Sequence, residues 1–429
     1  MTKLPLVFRV AQISNEPCIT DIPGTVESEL SRLCLHKKIK PGHSVAITVG
    51  SRGICNIPDI IKAVVDHIHR LGAKPFIVPA MGSHGGGTPA GQQRIVESNG
   101  MTEEFCQCPI RASMETVVVC QAQEGFPVHF DKHAYQADHV FVCNRIKPHT
   151  LFTGDLESGL MKMMLIGLGK HAGASIYHRV IREYSFHQIV RSVAREVFER
   201  CSIVAGLGIV ENGMCRTAQI EAMAPQHIEE RENFLLAQAK QWMPRLPFLT
   251  ADILLIDEIG KNISGTGLDV NVVGRKGRFH QVATNEFPQI KLIAVRDLTP
   301  KSHGNAIGIG LAEFCHARVL EKMDQNATRI NVLTGGQIAE AMLPLDYPTD
   351  QAMLEVMLSQ AALTQAGEPK LLWIRNTSSL SEIECTAPYL DEARERNDLH
   401  ILTDLRPLPL NPTGNLCDSH MLPTATNAS

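Results

Sequence analysis

The feature that most constrains this chain is an alternation that runs through its first 210 residues. Short β-branched runs end in glycine, and each is followed by a stretch with one apolar helical face. HSVAITVGSRG closes on Gly50 and Gly53. In IPDIIKAVVDHIHRLGA, residues Ile60, Ile61, Val64, Val65, Ile68 and Leu71 recur at three- and four-residue steps, which predicts a helix ended by Gly72. KPFIVPAMGSHGGG reads as a second strand entering a glycine loop. TPAGQQRIVESNG follows as a helix, with Thr88 as N-cap and Pro89 in the first turn. Parallel strands need crossovers, and helices are the ordinary crossover, so this order predicts an α/β protein with mainly parallel sheets.

The pattern continues to the C-terminal region. ETVVVCQ, ADHVFVCNRIKPH, CSIVAGLGIVEN, ADILLIDEIG, KLIAVRDL, TRINVLTG and PKLLWIRN read as strands. KHAGASIYHRVIREYSFHQIVRSVAREVFERC reads as one long helix and IEERENFLLAQAKQWMPRL as a polar one. Pro244 and Pro247 punctuate a boundary near Phe248. The expected organisation is an N-terminal α/β domain over 1–247, a C-terminal α/β domain over 248–414 and a loose, Pro/Ser/Thr-rich tail over 415–429.

Composition narrows the function classes. Hydrophobic residues make up 44% and charged residues 20% of the 429, enough apolar surface for packed cores. A net charge of −4 without a basic block argues against nucleic-acid binding through phosphate contacts. No run of about 18 apolar residues is present, so no membrane span is expected. MTKLPLVFRVAQ lacks the features of a signal peptide. Twelve cysteines occur without a C-x-x-C, which points to reduced thiols and a cytoplasmic protein rather than a disulfide or zinc framework.

In parallel α/β sheets the ligand loops lie beyond the carboxyl ends of the strands. Four such loops carry polar chemistry: 49–53, 81–87, 144–153 and 264–278. Arg52 in VGSRG offers a planar fork for a carboxylate or phosphate. His84 in MGSHGGG and His149 in NRIKPHT follow strand ends, and neutral imidazoles suit proton transfer in either direction. Lys162 is embedded in the apolar stretch GLMKMMLIGLG, where a buried amine gains nucleophilicity at neutral pH, although a side chain snorkelling outward is the alternative. His178 lies in a helical pattern as a metal ligand or a surface residue. Arg275 and Lys276 cluster after GTGLDVNVVG, where an anion or bulk solvent would face them.

Taken together, SRG, MGSHGGGTPAGQ, KPHTLFTGDLESGLMK, the Lys162-to-His178 spacing and GTGLDVNVVGR resemble the nickel-dependent lactate racemase family, from about Pro41 to Leu343. The resemblance implies two α/β domains with an active-site cleft between them. It also implies a cofactor: the nickel-pincer nucleotide, a pyridinium-3,5-bisthiocarboxylic acid mononucleotide carrying nickel. By this resemblance Lys162 is the covalent attachment point, His178 the nickel ligand, His84 and His149 the acid–base pair, and Arg52 the anion-binding residue. Arg275 and Lys276 stand beside the places of two further substrate contacts. The implied reaction is racemisation of a 2-hydroxy acid by hydride removal from C2 and its return to the other face. Cofactor-maturation enzymes are the implied partners. The chain departs from the lactate-specific pattern at Val49, where an Asp is expected, and at Gly274 and Gly277. Trp373 is the candidate for a C-terminal pocket tryptophan. These departures point to a larger or more polar substrate such as a sugar acid. Two other readings use the same residues: a cofactor-free sugar-acid epimerase or lyase with Lys162 as base or Schiff-base amine, and a non-catalytic nucleotide- or sugar-acid-binding homologue.

Overall fold

The computed structural model describes residues 4–150, 153–181, 183–276, 287–363 and 367–417, without the side chains of His178 and Thr334. The chain divides into two compact units, residues 16–243 and residues 1–15 together with 244–429. Strand β1 (Leu6–Gln12) accounts for the split N-terminus, because it pairs antiparallel with strands from the far end of the chain. The first fifteen residues therefore leave the N-terminal domain to which the sequence assigned them. Strand pairing over more than 370 residues leaves no local signal.

In the 16–243 unit, β2 (Ser44–Val49), β3 (Lys74–Pro79), β6 (His139–Arg145), β7 (Ile203–Glu211) and β8 (Thr217–Met223) form one sheet in the order β3-β2-β6-β7-β8. Its first four strands are parallel. Strands β4 (Thr116–Gln121) and β5 (Pro127–Asp131) form a separate antiparallel pair. Helix Ile57–Arg70 lays Ile60, Ile61, Val64, Val65 and Ile68 against Val45, Ile47, Phe141 and Leu207. Each of those side chains contributes about 1.5–3 kcal/mol by leaving water. The opposite face of the sheet, with Ala46, Val78, Val140 and Val142, is covered by Ile189, Val193 and Val197 of helix Phe186–Arg200. A sheet buried on both faces explains why its strands read as continuous apolar runs.

The expected helix ends hold. Gly72 takes φ +75, and the Thr88 hydroxyl accepts the Gly91 amide at 3.1 Å. The expected long helix is two, Lys170–Val180 and Phe186–Arg200, and the Ser185 hydroxyl caps the second by accepting the Gln188 amide.

In the other unit, β9 (Thr250–Ile256), β10 (Gln289–Val295), β11 (Phe314–His316), β12 (Leu345–Tyr347), β13 (Leu371–Ile374), β14 (Glu382–Thr386), β15 (Leu399–Ile401) and β16 (Arg406–Pro407) join β1 in a mixed sheet. TRINVLTG, expected as a strand, lies in helix Gln325–Gly335. The Asp324 carboxylate accepts the Asn326 and Ala327 amides and Gly336 ends the helix at φ +73, so capping outweighs the β-branched composition. Leu416, placed in the expected tail, is packed into this unit. Its amide donates to Asp350 at 2.9 Å and its carbonyl accepts from Arg296 at 2.6 Å. Residues 418–429 lie outside the described residues.

Candidate active site

The carboxyl ends of β3, β2, β6 and β7 open on one edge of the first sheet. Val49 of β2 pairs with Pro79 of β3, so the loops that carry Arg52 and His84 leave the sheet level with each other. His84 and His149 follow β3 and β6, which flank β2, so their strands run about 10 Å apart.

Loop 80–87 is tight and well anchored. Gly85 has φ +67, and a Cβ there would lie 2.5 Å from the Gly91 carbonyl carbon, so no other residue fits without a shift. Buried Gln92 donates its amide to the carbonyls of Gly82 (2.9 Å) and His84 (3.3 Å). The amine of Lys170, fully buried, donates to Gln92 (2.9 Å) and to the Pro79 carbonyl (2.6 Å), and pairs with buried Asp131 at 3.2 Å. Desolvation holds that amine below its ordinary value, and Asp131 opposes the drop. The ring of His84 is exposed, and its Nδ1 shares a hydrogen bond with the Ser51 hydroxyl.

His149 is placed by a carboxylate. Glu157, 1% exposed, accepts the amides of His149 (2.7 Å) and Gly154 (3.1 Å) and pairs with Lys240 at 2.6 Å. The His149 ring stacks on that of Phe186, with centroids 6.4 Å apart and planes 21° from parallel.

Lys162 ends the short helix Leu160–Lys162, which continues directly into a π-turn, Met163–Gly167. Such turns recur at functional sites. The helix is tied to the strand edge, because Asn144 donates to the Gly159 carbonyl (3.0 Å) and the Lys147 amide donates to the Ser158 carbonyl (3.0 Å). Glu232, buried on helix Ile228–Trp242, accepts the Met161 amide at 3.0 Å and so caps the helix. Burial pushes that carboxyl up to about 7. Lys162 is half-buried. Desolvation, then the charges of Arg52 and Lys147, push its amine down to about 7. Arg52 is also lowered, by burial and by Arg145, which is ion-paired with Glu211. The edge thus gathers three cationic side chains, Arg52, Arg145 and Lys147, around a partly uncharged amine.

The sequence singled out Arg52, His84, His149 and Lys162, and all four stand on this edge. Ser51, Gln92, Glu157, Asp131 and Glu232 were given no role in it; Lys170, which with His171 after GLG reads in sequence as a phosphate contact, is instead an internal prop. The backbone of His178 lies in helix Lys170–Val180, and its side chain lies outside the described residues. Arg275 is 1% exposed, pairs with Glu313 at 3.0 Å and donates to the Ile290 and Lys291 carbonyls, which ties its loop to β10. Lys276 is half-buried, and Gly277 lies outside the described residues. Trp373 is buried inside β13 and donates to Asp257 at 2.6 Å, so it serves the core of its own unit. Among the described residues no group of three or more His, Cys, Asp or Glu could hold a metal.

Comparison with known proteins bears on this edge. The profile described as the lactate racemase N-terminal domain matches residues 21–187, the segment that holds Arg52, His84, His149, Lys162 and His178. The lactate racemase apoprotein of Thermoanaerobacterium thermosaccharolyticum has the same fold, with a TM-score of 0.51 at 12% identity over 86% of this chain and 94% of that one. A protein from Thermotoga maritima aligns at 13% identity and a TM-score of 0.47, over 65% of this chain and 72% of that one. No curated protein matches this chain in sequence.

Proposed function

We propose that this protein is a racemase or epimerase that inverts C2 of a 2-hydroxy acid, a sugar acid ahead of lactate, with a nickel-pincer nucleotide as cofactor. The observation that carries the reading is the Lys162 amine, held near neutrality among Arg52 and Lys147 inside the matched segment. A nucleophilic amine in cationic surroundings suits covalent attachment of an anionic nucleotide. Lys162 would hold the cofactor and His178 its nickel. When bound, the cofactor supplies the acceptor for the C2 hydrogen as hydride.

The chain's own groups do the rest. Arg52 binds the substrate carboxylate through its planar fork. One imidazole of the His84–His149 pair takes the proton of the C2 hydroxyl, and the opposite imidazole returns a proton when the other face is reduced. Glu157 and Gln92 hold the two histidine backbones, so both imidazoles work from a fixed main chain. Val49, where the lactate-specific pattern has a carboxylate, is buried at the end of β2 among the apolar side chains of the core. Among the described residues no helix is long and apolar enough to cross a membrane, and the cysteines are free thiols. The reading assigns the protein to the cytoplasm, served by cofactor-maturation enzymes.

The test is to mature the protein with the cofactor-making enzymes and screen aliphatic and sugar-derived 2-hydroxy acids by chiral chromatography. Intact mass and nickel content are measured alongside. Inversion, one nickel per chain and a nucleotide-sized adduct lost in Lys162→Ala are expected. Inversion without nickel or adduct would instead assign Lys162 as the base of a cofactor-free epimerase. Binding without inversion or C2 deuterium exchange would leave a binding protein.

A further inference from the structure

We propose that Ser51 is the positioning residue of His84, and that its hydroxyl lets this one imidazole act as base or as acid at a single pH. The proposal deepens the racemase reading and rests on it. Its geometric basis is the hydrogen bond between the Ser51 hydroxyl and His84 Nδ1, made across two loops that leave neighbouring strands in level register.

The backbone beneath the ring is fixed. The His84 amide donates to the Met81 carbonyl at 3.1 Å, and its carbonyl accepts from Gln92, itself held by the buried Lys170–Asp131 pair. With the main chain pinned, the tie at Nδ1 selects how the exposed ring is turned and which protons it carries. A hydroxyl both donates and accepts, whereas an ionised carboxylate only accepts. When the Ser51 oxygen accepts Nδ1–H, Nε2 keeps its lone pair and takes the substrate's hydroxyl proton. The ring is then the imidazolium, with Nδ1–H still on the Ser51 oxygen, and in the other direction Nε2 returns that proton to the substrate oxygen and the ring is neutral again. A carboxylate in that place would hold one tautomer and favour the imidazolium. An enzyme that runs in both directions at one pH needs the neutral ring and the imidazolium to interconvert readily, which a neutral hydroxyl partner allows. The charged groups on this edge are Arg52 beside Ser51, Arg145 paired with Glu211, Lys147, and Lys162 on the helix packed against the loops.

The experiment is ring ¹⁵N NMR of the full-length protein without cofactor, labelled on histidine, with His84 assigned by His84→Gln. In the wild type, both His84 nitrogens are expected between the protonated and unprotonated extremes. Ser51→Asp should raise the His84 midpoint by about one pH unit and shift the ring to the Nδ1–H form. Ser51→Ala should move it toward the Nε2–H form, and Ser51→Thr should restore the wild-type pattern. In matured protein, the acidic limb of kcat/KM should rise with Ser51→Asp by the same amount. Ser51→Ala should lower kcat about tenfold with KM little changed. Identical His84 signals in the wild type and in well-folded Ser51→Ala and Ser51→Asp would overturn the proposal. Because the NMR measurement needs no cofactor, it decides the Ser51–His84 link independently. Absence of inversion with the NMR effects intact would sink the racemase reading alone.

Discussion

Lys162 offers the most quantitative consequence of the structure. An ordinary lysine with a pKa near 10.5 has about one amine in 3,000 uncharged at pH 7, whereas Lys162, at about 7, has about half. Less basic amines are weaker nucleophiles. With a sensitivity like that of thiols, the drop costs roughly 40-fold in intrinsic reactivity. The larger gain in uncharged amine leaves Lys162 roughly 40-fold faster than a surface lysine at pH 7. The assay is competitive labelling with a trace of small acylating reagent at pH 5.5–10.5, followed by peptide mass spectrometry of every lysine. Lys162 should label with a midpoint near 7 and the exposed lysines near 10.5. Arg52→Met should raise the Lys162 midpoint, because one of the charges that repels the ammonium is gone. A midpoint near 10 in folded protein, or labelling no faster than at surface lysines, would refute the argument from burial and charge.

Three further outcomes follow from the same geometry. Glu232 has a raised carboxyl pKa in the fold, so the stability this gives is complete below about pH 4.5 and is lost as pH rises to about 7. Denaturant titrations should show wild type losing up to about 3 kcal/mol relative to Glu232→Gln across that window. Lys170→Met strands the buried Asp131 carboxylate and should cost about 3–5 kcal/mol of unfolding free energy, much of it recovered in the Lys170→Met/Asp131→Asn double variant. With matured enzyme, His84→Ala and His149→Ala should each cut turnover by about 10²–10⁴-fold with substrate binding retained, as read by kcat and equilibrium titration.

What the sequence determined was local. The strand–helix alternation, the stop at Gly72, the Thr88 cap and the loops after β2, β3 and β6 could be read because each rests on residues within a few positions of one another. The parallel sheet then followed from chain order, and it brought Arg52, His84, His149 and Lys162 to one edge because all parallel strands end on the same side. Tertiary structure decided the rest. β1 crosses to a sheet at the other end of the chain, because backbone pairing is indifferent to sequence distance. TRINVLTG becomes a helix once Asp324 and Gly336 cap it. Arg275 and Trp373 turn inward, because Glu313 and Asp257 meet them there. Lys170, Gln92, Glu157 and Glu232 are polar residues whose patterns suit a solvated surface as well as a buried site. Only the packing shows that a partner across the fold compensates each for its lost water. That compensation depends on distance in space, which the order of residues along the chain does not encode.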